Sequence, residues 1–511
     1  MELIIVIALI ALLAAITFVA IDPARRIGES RNSRRYSEAL NIKKALEKYT
    51  VDNITLPSTI TALTDNTNYM IAAVGDSAGG TVTCTALGAE ITKVDIADGV
   101  DLVPTYLPTM PVDPTESAPY TNGTGYYFSK VGSIIVDIKP CTVYTVAVAE
   151  STPTTITGLS FDGSAVVVDA GATTYNQVTV LDSTNFVSAY NDTTTGGGRA
   201  AVGVVTGSSI AFGSDYQYNA GATLENSLTA LSSTKFVVAY RDNANGNYGQ
   251  AVVGTVSGTT ISYGSEYPFN GTNVSYRPAV TALSSTKFVV VYQDNASSDL
   301  VTKVGSVSGN AISYGSGTTV HTGGQNDVRL ATLDDSHFVI IFEDSAAGNS
   351  VAYVGTVTGT SIAFGSEYTY NTGLLREPNI TALDANTILI VYEDSANSSY
   401  GTAIVGTISG TTISFGSEYV YESEATRYHA TSKIDASNAV ISYRKSTLDG
   451  YSRIATIDGT TISFLDSVNY TANIVAYNGV GVLDSTSFVN GYADNTNSNR
   501  ATAIVGTIAW E

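Results

Sequence analysis

Hydrophobic and polar positions fall into three textures along the chain. Residues 2–21, ELIIVIALIALLAAITFVAI, are apolar on every face apart from one carboxylate at the start. A run of about 20 apolar residues crosses a bilayer core as a helix, and a helix apolar all round is buried in lipid or protein. Glu2 stands at the edge of that run, where an ionised carboxylate is costly unless a cation meets it. The second texture passes through Asp22-Pro23 into ARRIGESRNSRRYSEALNIKKALEKY, charged, with apolar residues at helical spacing. One helix is therefore expected over residues 1–52, loosened at Pro23 and Gly28. A secretory signal or a single anchor is the plainer reading. Against it, the segment has no basic start and continues into helical sequence instead of a small-residue cleavage site.

Residues 53–150 read as short strands and turns, with LVPTYLPTMPVDP (102–114) breaking regular structure ahead of a strand pair in GYYFSKVGSIIVDI (125–138). The third texture, residues 151–511, is one alternating pattern repeated seven times. It appears as LTALSSTKFVVAYRD, VTALSSTKFVVVYQD, ITALDANTILIVYED and their relatives, anchored at Phe186, Phe236, Phe288, Phe338, Ile388, Ala439 and Phe488. Each unit adds two further strands around a tight Gly turn, as in GQAVVGTVSGTTISYGSEY. Four strands per repeat of this length predict a seven-bladed β-propeller, with an open β-solenoid as the alternative. The seventh repeat has three strands, and Thr154–Gly163 is available to complete it and close the ring.

Loop lengths point to one face. The turns between first and second strands and between third and fourth strands vary little. The loops between second and third strands, and the crossovers between blades, vary in length and content and emerge at the same end of the ring. Their Tyr, Arg and Asn content suits stacking on and hydrogen bonding to polar ligands such as glycans. The candidate ligand-binding residues are Tyr248, Tyr276, Arg277, Arg376, Tyr400, Arg427, Tyr428 and His429; solvated loops of no function are the competing account. The aspartates that close the second strands, Asp192, Asp242, Asp294, Asp344, Asp394 and Asp494, read as turn caps before they read as cation ligands.

Composition narrows the function. The net charge is −21, yet eight basic residues between Arg25 and Lys48 cluster after the apolar run. The acidic remainder argues against nucleic acid as a partner. The basic segment is either a solvated helix face or a contact for anionic head groups. Three histidines, no catalytic constellation and no metal-ligand spacing predict no enzyme activity, no cofactor and no metal.

Glu2 with LIIVIALIALLAAI, DPARR and SRRYSEALNIKKALEKY resembles the N-terminus of type IV pilins and of the major pseudopilins of type II secretion. The resemblance covers roughly residues 1–140. It implies an α+β pilin domain, with a long N-terminal helix (1–52) and a small β-sheet head (53–150), followed by the all-β propeller (151–511). It also implies self-assembly into a helical homopolymer through Glu2, Leu3, Ile4, Ile5 and Pro23, with Glu2 neutralising a neighbour's terminal amine. The family carries several residues before this glutamate where only Met1 stands here, which leaves that amine undefined. Inner-membrane pilus assembly machinery and a prepilin peptidase are the implied partners, with a surface glycan or cell-surface ligand for the propeller. The implied location is the inner membrane before assembly and an extracellular filament after it. Outside the cytoplasm, Cys84 and Cys141 are expected either to form a disulfide or to remain as two buried thiols. The function expected on this basis is a filament subunit displaying its propeller for adhesion or binding. A minor pseudopilin or tip adhesin and an envelope-tethered propeller enzyme are the alternatives.

Overall fold

A computed structural model describes residues 23–65, 67–72, 81–84, 89–96, 102, 103, 105–111, 123–131, 134–141, 155–373 and 375–511. Two compact units emerge, Met1–Pro153 and Thr154–Glu511.

In the first unit, helix α1 (Pro23–Asn53) buries Arg35, Ala39, Ile42, Ala45 and Leu46, positions three to four apart that share one face. That stripe packs on Leu56, on Ile60 of the short helix α2 (Ser58–Thr61), and on Ile71, Tyr126, Phe128 and Ile138. The sheet beneath it has five strands in the order Thr81–Cys84, Ala89–Val94, Tyr69–Ala72, Gly123–Val131, Ile134–Pro140. Only the pair of Tyr69–Ala72 with Ala89–Val94 is parallel. The Tyr126 hydroxyl donates to Glu38 at 2.6 Å, fastening helix to sheet. Cys84 and Cys141 form a disulfide buried against Met70 and Ile91, a cross-link typically worth about 2–4 kcal/mol.

The α+β pilin class is corrected here. Strands make up 65% of the structure and helices 6%, so the fold class is all-β. Helix α1 exposes mostly polar residues, Leu40 and Val51 being apolar exceptions, and places its buried stripe in its own unit's core, leaving that stripe unavailable to pack between subunits. Among the described residues no helix is long and apolar enough to cross a membrane. Glu2, Leu3, Ile4 and Ile5 lie outside the described residues. Pro23 opens α1.

The second unit is a closed ring of seven antiparallel blades, each with four strand positions, the outermost of which is broken into two segments in five blades. In the second sheet the innermost strand is Thr223–Ser232, followed outward by Lys235–Asp242, Tyr248–Ser257 and Thr260–Tyr263. The innermost strands touch in cyclic order around the ring, the seventh meeting the first. In the last sheet, Val475–Asp484, Ser487–Asp494 and Arg500–Trp510 are joined by Ile156–Ser160, with Ser160 opposite Thr507 and Ile156 opposite Trp510. That outermost strand comes from the start of the unit, so the ring is hydrogen-bonded shut and the blade edge is covered.

The second strand of each blade explains the ring. Phe236, Val237, Val238, Ala239 and Tyr240 are all fully buried, and their side chains alternate between the two faces of the sheet. Phe236, Val238 and Tyr240 pack on Val187 and Ala189 of the first blade. Val237 and Ala239 pack on Phe288, Val290 and Tyr292 of the third. The same arrangement carries Val289 and Val291 onto Phe338, Ile340 and Phe342, then Val339 and Ile341 onto Ile388, Ile390 and Tyr392. A strand sandwiched between neighbours on both sides must be a continuous apolar run, as these are.

Each anchor ring lies across a small residue of the third strand. Phe236 faces Gly254 in register, and a Cβ added at Gly254 would fall 2.3 Å from Phe236 Cζ. In the sixth blade the corresponding pair is Ala439 opposite Ala455: the anchor has shrunk and the glycine has grown. Gly254→Ala is therefore expected to destabilise by about 1–3 kcal/mol and Phe236→Ala by about 3–5 kcal/mol. The double variant copies the sixth blade and should cost less than the sum by at least about 1 kcal/mol. Urea unfolding midpoints check this, and additive costs would refute the pairing.

Candidate functional site

The innermost strand of every blade carries the same irregularity. In the second blade Leu224 pairs with Arg241 and Ser227 with Ala239, so three steps on one strand match two on its partner. That is a β-bulge, one extra residue that re-aims a side chain. The same shift recurs in the other six blades. At each bulge one residue is left-handed: Tyr175, Glu225, Arg277, Asp327, Glu377, Tyr428 and Tyr477, with φ between 49° and 55°. None is glycine, although this region is unfavourable for any residue with a Cβ.

All seven line one cavity of about 320 Å³ on the ring axis, accompanied by Asn226, Arg329, His429 and Asn478 among others. Three tyrosines from consecutive blades form one wall, Tyr175 and Tyr477 with centroids 5.1 Å apart and Tyr428 and Tyr477 at 5.8 Å. Opposite them stand Glu225, Arg277, Asp327 and Glu377. The bulge also ties blades together. The Arg277 amide donates to Glu225 at 2.8 Å, the Glu377 amide to Asp327 at 3.1 Å, and the Tyr428 amide to Glu377. Arg277 Nη1 donates to Gln293 Oε1 and to the Gln325 carbonyl.

A second cavity of about 380 Å³ shares Arg277, Asp327 and Glu377 and adds Arg376, Arg427 and Glu343. Arg427 Nε lies 3.0 Å from the buried Glu393 and its Nη1 3.8 Å from Glu377. Burial raises the Glu377 carboxyl above its ordinary range, opposed by the Tyr428 amide and the Arg427 charge. Burial and the Asp327 charge raise Glu343 in the same direction. Tyr477 is pushed up to about 12 by burial and its tyrosine neighbours. His429 is held down to about 4, chiefly by burial. Its Nδ1 lies 3.0 Å from the Glu377 carbonyl and its Nε2 2.8 Å from Thr426 Oγ1.

Of the residues singled out from sequence, Arg277, Tyr428 and His429 line the axial cavity, and Arg277, Arg376 and Arg427 line its neighbour. Tyr276 lies under the Arg241 guanidinium, 4.7 Å from ring centroid to Cζ. Tyr248 and Tyr400 pair with Asp242 and Asp394 at the start of third strands, away from both cavities. The aspartates closing the second strands cap their own turns, as where Asp344 Oδ1 accepts from the Ala346 and Ala347 amides. No cluster of three potential metal ligands occurs among the described residues. Sequence reasoning missed Tyr175, Glu225, Asp327, Glu377 and Tyr477. A signal was present: a polar residue stands six positions before Leu181, Leu231, Leu283, Leu333, Leu383, Ile434 and Leu483 in every repeat.

No family model matches the chain, and no curated protein matches it. Solved structures similar to it include AofleA from Arthrobotrys oligospora, at 10% identity over 60% of this chain and 91% of that one, with a TM-score of 0.41. The Hadza microbial sialidase Hz136 is similar at 10% identity over 55% and 66% of the two chains, TM-score 0.39. The NanB sialidase from Streptococcus pneumoniae is similar at 10% identity over 74% and 75%, TM-score 0.39. With an all-β fold in hand, the resemblance to pilins and pseudopilins is corrected. The filament-subunit function, the homopolymer, and the assembly machinery and prepilin peptidase as partners fall with it.

His429 gives the site a pH signature. The unfolded chain protonates this imidazole near 6.5, the folded chain only near 4. Its burial as a neutral ring therefore contributes stability above pH 6.5 that is lost as pH falls toward 4, at most about 3 kcal/mol. Asn occupies the matching position in three blades, at Asn176, Asn226 and Asn478. His429→Asn should flatten the acid limb of the stability curve by about that amount between pH 7 and 4. Denaturant titrations across this range decide it, and parallel curves for the two proteins would exclude it.

Proposed function

We propose that the second unit is a carbohydrate-binding propeller that holds a saccharide unit in the axial cavity. The observation that carries this is the division of the seven bulge residues, with Tyr428, Tyr477 and Tyr175 on one arc and Glu225, Arg277, Asp327 and Glu377 on the other. A pyranose has an apolar C–H face and a rim of hydroxyls. An aromatic wall receives the first, and carboxylates with a guanidinium bond the second. The volume suits a small ligand. A purely structural account, in which bulge side chains only staple blades, covers the three carboxylates and the ring contacts between tyrosines, and gives no reason for the aromatic and ionic residues to be sorted onto opposite arcs. An extracytoplasmic setting belongs to this reading, since the Cys84–Cys141 bond fits an oxidising compartment.

The test is calorimetry against methyl glycosides of glucose, galactose, mannose and N-acetylglucosamine, together with N-acetylneuraminic acid. Wild type should bind at least one, and Tyr477→Ala should weaken that binding at least about tenfold, the equivalent of about 1.4 kcal/mol. A wild type that binds none, or an alanine variant that binds equally well, removes the proposal. Chromogenic glycosides in the same series would reveal turnover. Loss of that turnover in Glu377→Gln would extend the reading to a propeller hydrolase with Glu377 as its proton donor.

A further inference from the structure

The residue that follows each left-handed position lines the axial cavity in five blades, at Asn226, Pro278, Val328, His429 and Asn478, and its type splits the ring in two. Blades three, four and five carry Pro278, Val328 and Pro378; blade six carries His429, both of whose nitrogens have partners. Blades seven, one and two carry Asn478, Asn176 and Asn226. These amides are buried, with exposures of 7%, 2% and 5%. Nδ2 and Oδ1 of Asn226, Nδ2 and Oδ1 of Asn176, and Nδ2 of Asn478 have no hydrogen-bond partner in the protein. Buried amide groups are almost always bonded, because leaving them unbonded costs the fold stability. Asn226 and Asn478 line the axial cavity. The run of amides overlaps the tyrosine wall, Asn478 following Tyr477 and Asn176 following Tyr175.

We infer that Asn226 and Asn478 are the specificity-determining floor of the axial site and read a pair of adjacent hydroxyls on the ligand. A carboxamide sets one acceptor beside two donors, and vicinal hydroxyls set a donor beside an acceptor at matching spacing. A ligand with such a pair satisfies amide groups that the fold leaves open. An analogue lacking one hydroxyl leaves them unmet, and sites built this way reject such analogues strongly. The inference rests on the axial cavity being the saccharide site, and it narrows the ligand to sugars presenting a vicinal diol to the floor while a C–H face meets the tyrosines.

The experiment uses the full chain and whichever methyl glycoside wild type binds, with its monodeoxy analogues. Asn226→Leu, close to isosteric, should lose at least tenfold in affinity while its melting temperature stays level or rises, because an unbonded polar group has been removed. Wild type should bind one monodeoxy analogue at least tenfold more weakly, and Asn226→Leu should not distinguish that analogue from the parent sugar. The deoxy series on wild type needs no variant, so a leucine protein that fails to fold leaves the inference exposed to test. Unchanged affinity in Asn226→Leu and equal binding of every deoxy analogue, with Tyr477→Ala still impaired, would overturn the amide floor and leave the cavity reading standing. A wild type that binds no glycoside overturns both.

Discussion

The packing of each second strand between two neighbouring blades is the constraint on which the ring depends. Phe236, Val238 and Tyr240 face one neighbour and Val237 and Ala239 the other, so no blade has a complete core of its own. Burial of a side chain of this size contributes about 1.5–3 kcal/mol, and each blade shares that gain with both neighbours. An open array would leave one apolar face uncovered at each end. Closure through Ile156–Ser160 removes both ends at once, with backbone hydrogen bonds to Arg500–Trp510 holding the join. The ring is rigid because every sheet is clamped on both faces, and a rigid ring can hold side chains at its axis in fixed positions.

That rigidity is what permits the bulges. An isolated strand with a left-handed tyrosine or arginine would relax by shifting register. Here a one-residue slip would turn the alternating core residues of the innermost strand to the wrong face. The bulge amides are also tied across blades through Glu225, Asp327 and Glu377. The same groups that stabilise the bulges face the cavity, so their carboxylates sit at defined places and Glu377 is held partly out of water, with its carboxyl raised. Stability and site chemistry meet in one set of atoms.

The repeat was legible because it rests on period-two alternation and fixed spacing, both visible in strings such as KFVVAY and KFVVVY. The Phe-over-Gly pairing was not legible in advance, since Phe236 and Gly254 become partners only through strand register. Of the site, Arg277, Tyr428 and His429 were reached through loop variability, which led equally to Tyr248 and Tyr400 outside it. Variability alone could not separate a side chain on the axis from one at the rim, because the second-to-third-strand loops that carry Tyr248 and Tyr400 and the crossovers that carry Arg277 and Tyr428 vary alike and emerge at the same end of the ring. The pilin reading drew its weight from residues 2–21 and a charged helix. An apolar run reports that a segment must be buried and leaves open against what. In the described part of the helix, Ala39, Ile42, Ala45 and Leu46 are buried in their own unit.

The choice of residue at the bulges bears on function independently of the cavity's shape. Each left-handed residue bearing a Cβ costs on the order of 1–2 kcal/mol, and seven of them cost about as much as the whole stability of a typical domain. Glycine would make the same bend at far lower cost, and this chain uses glycine freely in its hairpins, at Gly207, Gly258, Gly309, Gly359, Gly410 and Gly459, all with φ near 60°. If the bulges served only to bend the innermost strands, the same substitution would be available at every one. Instead the seven positions hold three tyrosines, three carboxylates and an arginine. The carboxylates have a structural use in binding the next blade's amide. The tyrosines and Arg277 bond no bulge amide. Arg277 ties to Gln293 and the Gln325 carbonyl and the tyrosine rings touch across blades, but bending and stapling alone do not require aromatic and ionic groups to be sorted onto opposite sides of one cavity.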